Sequence, residues 1–253
     1  MKIIFLDPPF QDWIPHLKKF SISTESEIKL LPYKEKDEKE QRIVPLSIKA
    51  IEYCISHNIK NQIGPFDLQT LNILNNKLKF HEFMEKEKLE QYVPTLFTET
   101  TKKFPCIFKP EEGYGGKNIK VCHNEYHFKL FTKWFIDKKI PYFVEEYIID
   151  KNEYNGYYFV KNGTIVFSIY YKGENEKLYS VKQGGFSLYE KISFANNMDN
   201  IFDQIFKKLK YSGFATSNFK IMGNKIKILE INPRLGGTLI KNASDLGVLL
   251  KFL

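Results

Sequence analysis

Arginine is almost missing from this chain: two stand among 38 basic residues, Arg42 and Arg234. Guanidinium forks bind carboxylates and phosphates better than ammonium groups do, so Arg42 is a candidate substrate contact from the N-terminal part of the chain. Cysteine is scarce as well. Cys54, Cys106 and Cys122 are an odd number at wide spacings with no CxxC pair, which argues against a disulfide framework or a zinc site and leaves three buried thiols. No apolar run approaches the roughly 20 residues that a membrane span needs. The opening MKIIFLDPPF has no basic segment, long apolar core and small-residue cleavage site, so it reads as a first strand and a cytoplasmic location is expected. Internal repeats and low-complexity linkers are missing too.

What is present is an ordinary globular composition. With 253 residues and 43% apolar content, the chain can bury a sizeable core as one unit of two or three lobes. The net charge is +8 and the isoelectric point near 9.1. The lysines are interleaved with glutamates, as in KEKDEKE (34–40) and MEKEKLE (84–90), which is the pattern of solvated mixed-charge faces. That dispersal and the lack of an RNA-type motif argue against a nucleic-acid partner.

Periodicity sketches the elements. Residues 2–6 predict a strand, 45–57 a helix beginning at Pro45, and 66–91 a longer helical region that ends at Val93-Pro94. Strands follow at 105–109, 117–121 and 141–148. The segment 157–171 is two apolar runs around Asn162-Gly163, the dipeptide best suited to a two-residue hairpin turn. Residues 199–210 put Ile201, Phe202, Ile205, Phe206 and Leu209 on one helical face, and a second hairpin turns at Gly223-Asn224. The class is α+β, helices first and antiparallel strands after.

Three stretches carry chemistry. In KILEINPRLGG (227–237), Glu230 and Asn232 share a strand face and Pro233 ends the pairing. Two oxygen ligands at a strand end suit Mg²⁺, and Arg234 beside them suits a transferring phosphoryl group; a plain surface ion pair is the competing reading. In IFKPEEGYGGKNIKV (107–121), Lys109 precedes a loop with Gly113, Gly115 and Gly116, whose backbone N–H groups can cover phosphates. It is neither a Walker loop nor a dinucleotide fingerprint. In FVEEYI (143–148), adjacent carboxylates face opposite sides of a strand, so either Glu145 or Glu146 points inward.

Together, Lys77 in NNKLKFHEFM, Lys109 with its glycine loop, EEYI at 145–148, Glu153 in NEYNGYYFV, and EINPR at 230–234 resemble the ATP-grasp superfamily, in particular its branch similar to carbamoyl-phosphate synthetase and amino-acid ligases. The resemblance covers roughly 70–253. It implies an ATP-grasp domain over 76–253, with a glycine-rich lid at about 105–148 and a metal-binding hairpin at about 213–234, preceded by a small Rossmann-like α/β lobe over 1–75.

The resemblance also implies roles. Lys77 and Lys109 would hold the ATP phosphates, the loop at 113–116 would close over them, and Glu145, Glu146, Tyr147 and Ile148 would run beside the adenine, with a carboxylate of Glu153 or Glu145 at the ribose. Glu230 and Asn232 would ligate Mg²⁺, with Mn²⁺ as a substitute, and Arg234 would steady the γ-phosphate. The implied reaction is ADP-forming ligation of a small-molecule carboxylate, or a peptide end, to an amine through an acyl phosphate; no membrane partner is implied, and a homodimer is compatible with it. One departure stands out: the residue opposite Glu230 is Ser217 if the hairpin loop has two residues and Asn218 if it has three, neither of them acidic. Asn218 is the favoured third metal ligand. The runner-up activity is a phosphotransferase on the same fold, and the departure motivates a second alternative, a nucleotide-binding regulatory protein without turnover. Lys182 in KQGGFSLYEK (182–191) is the candidate facing the acyl acceptor, and the backbone at Gly236-Gly237 opens a final helix where a carboxylate could rest.

Overall fold

The computed structural model describes residues 2–22, 24–34, 41–113, 115–174, 189–194 and 198–253. The N-terminal part consists of β1 (Lys2–Leu6), α1 (Trp13–Ile22), β2 (Ser26–Lys29), β3 (Gln41–Pro45) and α2 (Ile48–Ser56). The strands form a parallel sheet in the order β2-β1-β3. The run Ile3–Leu6 is apolar without alternation because it is buried on both faces, as parallel strands are. Pro45 does not begin a helix. It ends β3 beside Leu6, and α2 starts after Ser47, whose hydroxyl accepts from the Ala50 N–H at 3.0 Å. A serine satisfies an orphan N–H that proline cannot, so the cap moved two residues along.

The helical region expected over 66–91 is two helices, α3 (Leu68–Asn75) and α4 (Lys77–Lys86), followed by a short 3₁₀ turn at Glu90–Tyr92. Asn76 divides them. Its extended backbone (φ −103°, ψ 115°) closes α3, while its side chain accepts from the Lys79 N–H at 3.0 Å and opens α4.

Next come β4 (Leu96–Phe97), β5 (Cys106–Pro110), β6 (Lys120–Cys122), α5 (Glu125–Asp137) and β7 (Tyr142–Glu146). They build an antiparallel sheet, β4-β7-β5-β6, with α5 on one face. Phe108 lies in that small core with ring centroids 5.9 Å from Phe135 and 5.6 Å from Tyr142. Cys106 and Cys122 face each other across β5 and β6 and, like Cys54, are buried free thiols.

The last part is β8 (Asn152–Lys161), β9 (Thr164–Glu174), β10 (Tyr189–Ile192), α6 (Met198–Lys208), β11 (Gly213–Met222), β12 (Lys225–Asn232), α7 (Gly237–Ile240) and α8 (Ala243–Leu250). Its antiparallel sheet runs β10-β9-β8-β11-β12. The turn between β8 and β9 holds Asn162 and Gly163 at φ 49° and 78°, the left-handed pair that a two-residue hairpin demands. The apolar stripe of α6 packs on one face of the sheet together with Leu74, Phe80 and Met84 from α3 and α4. The other face shares a core with Phe5, Trp13 and Leu17 of the N-terminal part and with α7 and α8. The architecture is α+β, and no helix among the described residues is long and apolar enough to cross a membrane.

Candidate functional site

Lys77 is the first residue of α4, and the cap that starts the helix also aims it. Asn76 Nδ2 donates to Glu111 Oε2 at 3.0 Å, and the Lys77 N–H donates to the Glu111 carbonyl at 2.8 Å. These bonds tie α4 to the loop that leaves β5. The Lys77 ammonium then lies 3.2 Å from Glu230 Oε2 and donates to the Gly113 carbonyl at 3.0 Å. Three segments distant in sequence, α4, the glycine loop and β12, meet at one cation. In the loop, Gly113, Gly115 and Gly116 have φ of 138°, 65° and 72°, conformations that a Cβ would strain.

Pairing in the lid sheet explains Lys109 and Glu145. Ile107 lies opposite Glu145, so Lys109 is its diagonal neighbour on the same face. Lys109 pairs with one oxygen of Glu145, and His81 Nε2 is 2.8 Å from the other. All three side chains are buried. Burial opposes the Glu145 charge, but Lys109 and His81 outweigh it and hold this carboxyl below its ordinary range. Glu146, on the opposite face, accepts from the N–H and hydroxyl of Thr95, both at 3.3 Å. Tyr147 and Ile148 follow as buried residues just past the strand.

The hairpin register resolves the residue opposite Glu230. The loop has two residues, Gly223 and Asn224, yet Asn218 pairs with Glu230, because the ladder shifts at Leu229 between Phe219↔Ile228 and Asn218↔Glu230. Asn218 Nδ2 donates to Glu153 Oε1 at 3.1 Å, and Asn232 Nδ2 donates to Glu230 Oε1 at 3.1 Å. Each amide thus spends its N–H₂ on a carboxylate, leaving its carbonyl oxygen for another partner. The carboxylates are pushed apart: burial, aided by Glu230, raises Glu153, whereas Lys77 and Asn232 overcome burial and lower Glu230. No cluster of three or more His, Cys, Asp or Glu able to hold a metal forms among the described residues. One anionic carboxylate and two amide oxygens fit a hard cation that completes its shell with water and phosphate.

Arg234 follows the strand. Its N–H donates to the Asn232 carbonyl at 2.8 Å, its carbonyl accepts from Thr216 Oγ1 at 2.7 Å, and its guanidinium stands 5.9 Å over the Trp13 ring. Arg42 donates to the Gln41 carbonyl at 3.4 Å, and no described contact brings it to these residues. Lys182 lies outside the described residues.

Two residues of this face were not foreseen. His81 is one turn from Lys77 on α4, a spacing that places both on one side, but a lone histidine carries no signal until its partner is known. Lys220 alternates with Asn218 on β11, which alone puts it on the same face. Its buried ammonium donates to the carbonyls of Ile148, at 3.4 Å, and Asp150, pinning the segment after β7; burial lowers its pKa against the pull of Glu153 and Asp150.

A sequence model described as an ATP-grasp domain matches residues 74–238. An uncharacterised protein of Methanocaldococcus jannaschii is 27% identical over 175 residues, which are 68% of this chain and 38% of that protein, so the chain spans well under half of that relative's length. Among solved structures, D-alanine–D-alanine ligase from Bacillus anthracis superposes with a TM-score of 0.67 at 14% identity, over 98% of this chain and 92% of the other. Phosphoribosylamine–glycine ligase from Thermotoga maritima gives 0.68 at 14% identity, over 95% and 71%. At such identities the likeness is one of fold, and it extends over nearly the whole chain.

Proposed function

The chain belongs to the ATP-grasp family, and from that premise we propose that it is an ATP- and Mg²⁺-dependent ligase that joins a small carboxylic acid or peptide end to an amine and releases ADP and phosphate. One observation carries the reading: Lys77 at 3.2 Å from Glu230, with Asn232 and Asn218 beside it, gathers two amide oxygens, a carboxylate and an ammonium beneath a glycine loop. Two proteins that share the fold are named as ligases, one of D-alanine with D-alanine and one of phosphoribosylamine with glycine, which supports this class of chemistry.

In this reading Lys77 and Lys109 take the ATP phosphates, and the N–H groups of 113–116 cover them. Glu153 accepts from the ribose, and Glu146, Tyr147 and Ile148 flank the base, held in place by Lys220. Glu230, Asn232 and Asn218 hold Mg²⁺ or Mn²⁺, which when bound screens phosphate charge and polarises phosphoryl oxygens. A carboxylate oxygen of the acid attacks the terminal phosphorus while Arg234 neutralises the phosphoryl group in transit, and ADP leaves. The amine nitrogen then attacks the acyl carbon, forming the amide and expelling phosphate. Lys182 is assigned to the acceptor side of this step. The site supplies charge and orientation rather than a covalent nucleophile.

A second reading rests on Asn218. With an amide opposite Glu230 the metal site has a single carboxylate there, which favours nucleotide binding without turnover. Phosphorus NMR separates the two. ADP and phosphate that accumulate from ATP and Mg²⁺ only when pooled amino acids and small carboxylic acids are present, and not with Glu230→Gln, support the ligase. Intact ATP in every tube despite a thermal shift with ATP supports the binding protein.

A further inference from the structure

Glu145 is the most enclosed carboxylate of the site, with its side chain 1% exposed. Its Oε1 is ion-paired with Lys109 but has no hydrogen bond of regular geometry, and its Oε2 lies 2.8 Å from His81 Nε2. His81 is itself buried, packed against Phe143 with ring centroids 5.6 Å apart, so solvent does not stand in for either partner. The charged groups facing this cluster are Lys109 from β5 and, within electrostatic reach of Glu145, Lys227 from β12; Lys109 in turn feels Glu153 from β8, Lys220 from β11 and Glu230 from β12, and Lys77, one turn before His81, is turned to Glu230 and Gly113. Lys227 donates to the Val93 carbonyl at 2.8 Å and does not contact Glu145.

The cluster poses a difficulty for any reaction that uses Lys109. One ammonium cannot serve a phosphate and keep its contact with Glu145 at full strength, and a buried carboxylate deprived of its cation is strongly unfavourable. His81 is the group placed to make up the loss, because protonation turns its hydrogen bond to Glu145 into an ion pair. We propose that His81 is a positioning residue for Lys109: it takes up a proton from solvent when Lys109 turns to a phosphate, so Glu145 stays paired and Lys109 is free to move. This rests on the nucleotide reading above. It adds a consequence that this reading lacks, namely that nucleotide binding is coupled to proton uptake and tightens as pH falls.

The test is calorimetric titration of the full chain with MgADP near neutral pH, in two buffers of different ionisation enthalpy, for wild type and His81→Gln. The glutamine still offers an N–H to Glu145 but cannot gain a proton. Wild type is expected to take up a sizeable fraction of one proton and His81→Gln none, with binding about tenfold weaker, the scale of one charge-assisted hydrogen bond. Equal uptake in both proteins overturns the proposal while leaving the nucleotide reading intact. No binding by wild type overturns that reading and this proposal with it. Should His81→Gln not fold, histidine NMR of Lys109→Met decides. With Glu145 resting on His81 alone, one of the five histidines must titrate at higher pH than in wild type, and five unchanged titrations overturn the proposal.

Discussion

Replacing Glu145 with glutamine tests the buried cluster directly. The substitution keeps the shape, removes the charge and leaves the Lys109 ammonium inside the protein beside a neutral amide. Lys109 and Glu145 are both buried and in contact, so the loss belongs to the class of broken buried pairs, whose measured cost begins at about 3 kcal/mol. For a domain of this size that corresponds to a fall in Tm of roughly 6–12 °C. The measurement is a calorimetric or circular-dichroism melt without nucleotide near neutral pH. Acid gives an internal control with a fixed sign. Because the Glu145 carboxyl lies below its ordinary value in the folded protein, its contribution is complete above the unfolded carboxylate range and is lost as pH falls through the folded one. The gap between wild type and Glu145→Gln must therefore narrow on acidification. A variant that melts within a degree of wild type near neutral pH would refute the ion cluster and the reasoning built on it.

Other substitutions test the rest of the site. Lys109→Ala should reduce the thermal shift produced by MgATP, whereas Glu230→Gln should keep much of that shift and lose ADP formation; full turnover by Glu230→Gln would end the metal role. Asn218→Asp places a second carboxylate where Asn218 now donates to Glu153 at 3.1 Å. It should cost about 1–2 kcal/mol without metal, by trading a hydrogen bond for repulsion, and regain stability with Mg²⁺, read as a larger metal-induced rise in Tm than wild type shows. Gly213→Ala should destabilise by about 3 kcal/mol or more, because φ is +128° and the added methyl would stand 2.6 Å from the Gly64 Cα, where only backbone could yield. A melt and a soluble-expression assay would show it, and a stable alanine variant would contradict the close approach of these segments.

Local rules carried much of this protein. The Asn162-Gly163 turn, the apolar stripe of α6, the strand that delivers Glu230 and Asn232, and the opposed directions of Glu145 and Glu146 all follow from periods of two or 3.6 and from turn chemistry. The family was legible for the same reason, since its signature is a set of short segments in a fixed order. Where two local rules competed, as at Pro45 and Ser47 or between the two helices at Asn76, the better hydrogen-bond acceptor won and the boundary moved. The tertiary structure decided what local rules do not contain. A one-residue bulge at Leu229 chose Asn218 over Ser217, although the loop length alone pointed to Ser217. The pairing of Lys77 with Glu230 spans 153 positions in the chain and that of His81 with Glu145 spans 64, and both arise because α4, whose Phe80 and Met84 pack on the five-stranded sheet, also meets the sheet that carries Glu145. Sequence determines which side of an element a group occupies; only the packing of elements determines which distant charge it meets, because a buried ion must find its partner wherever the fold places one.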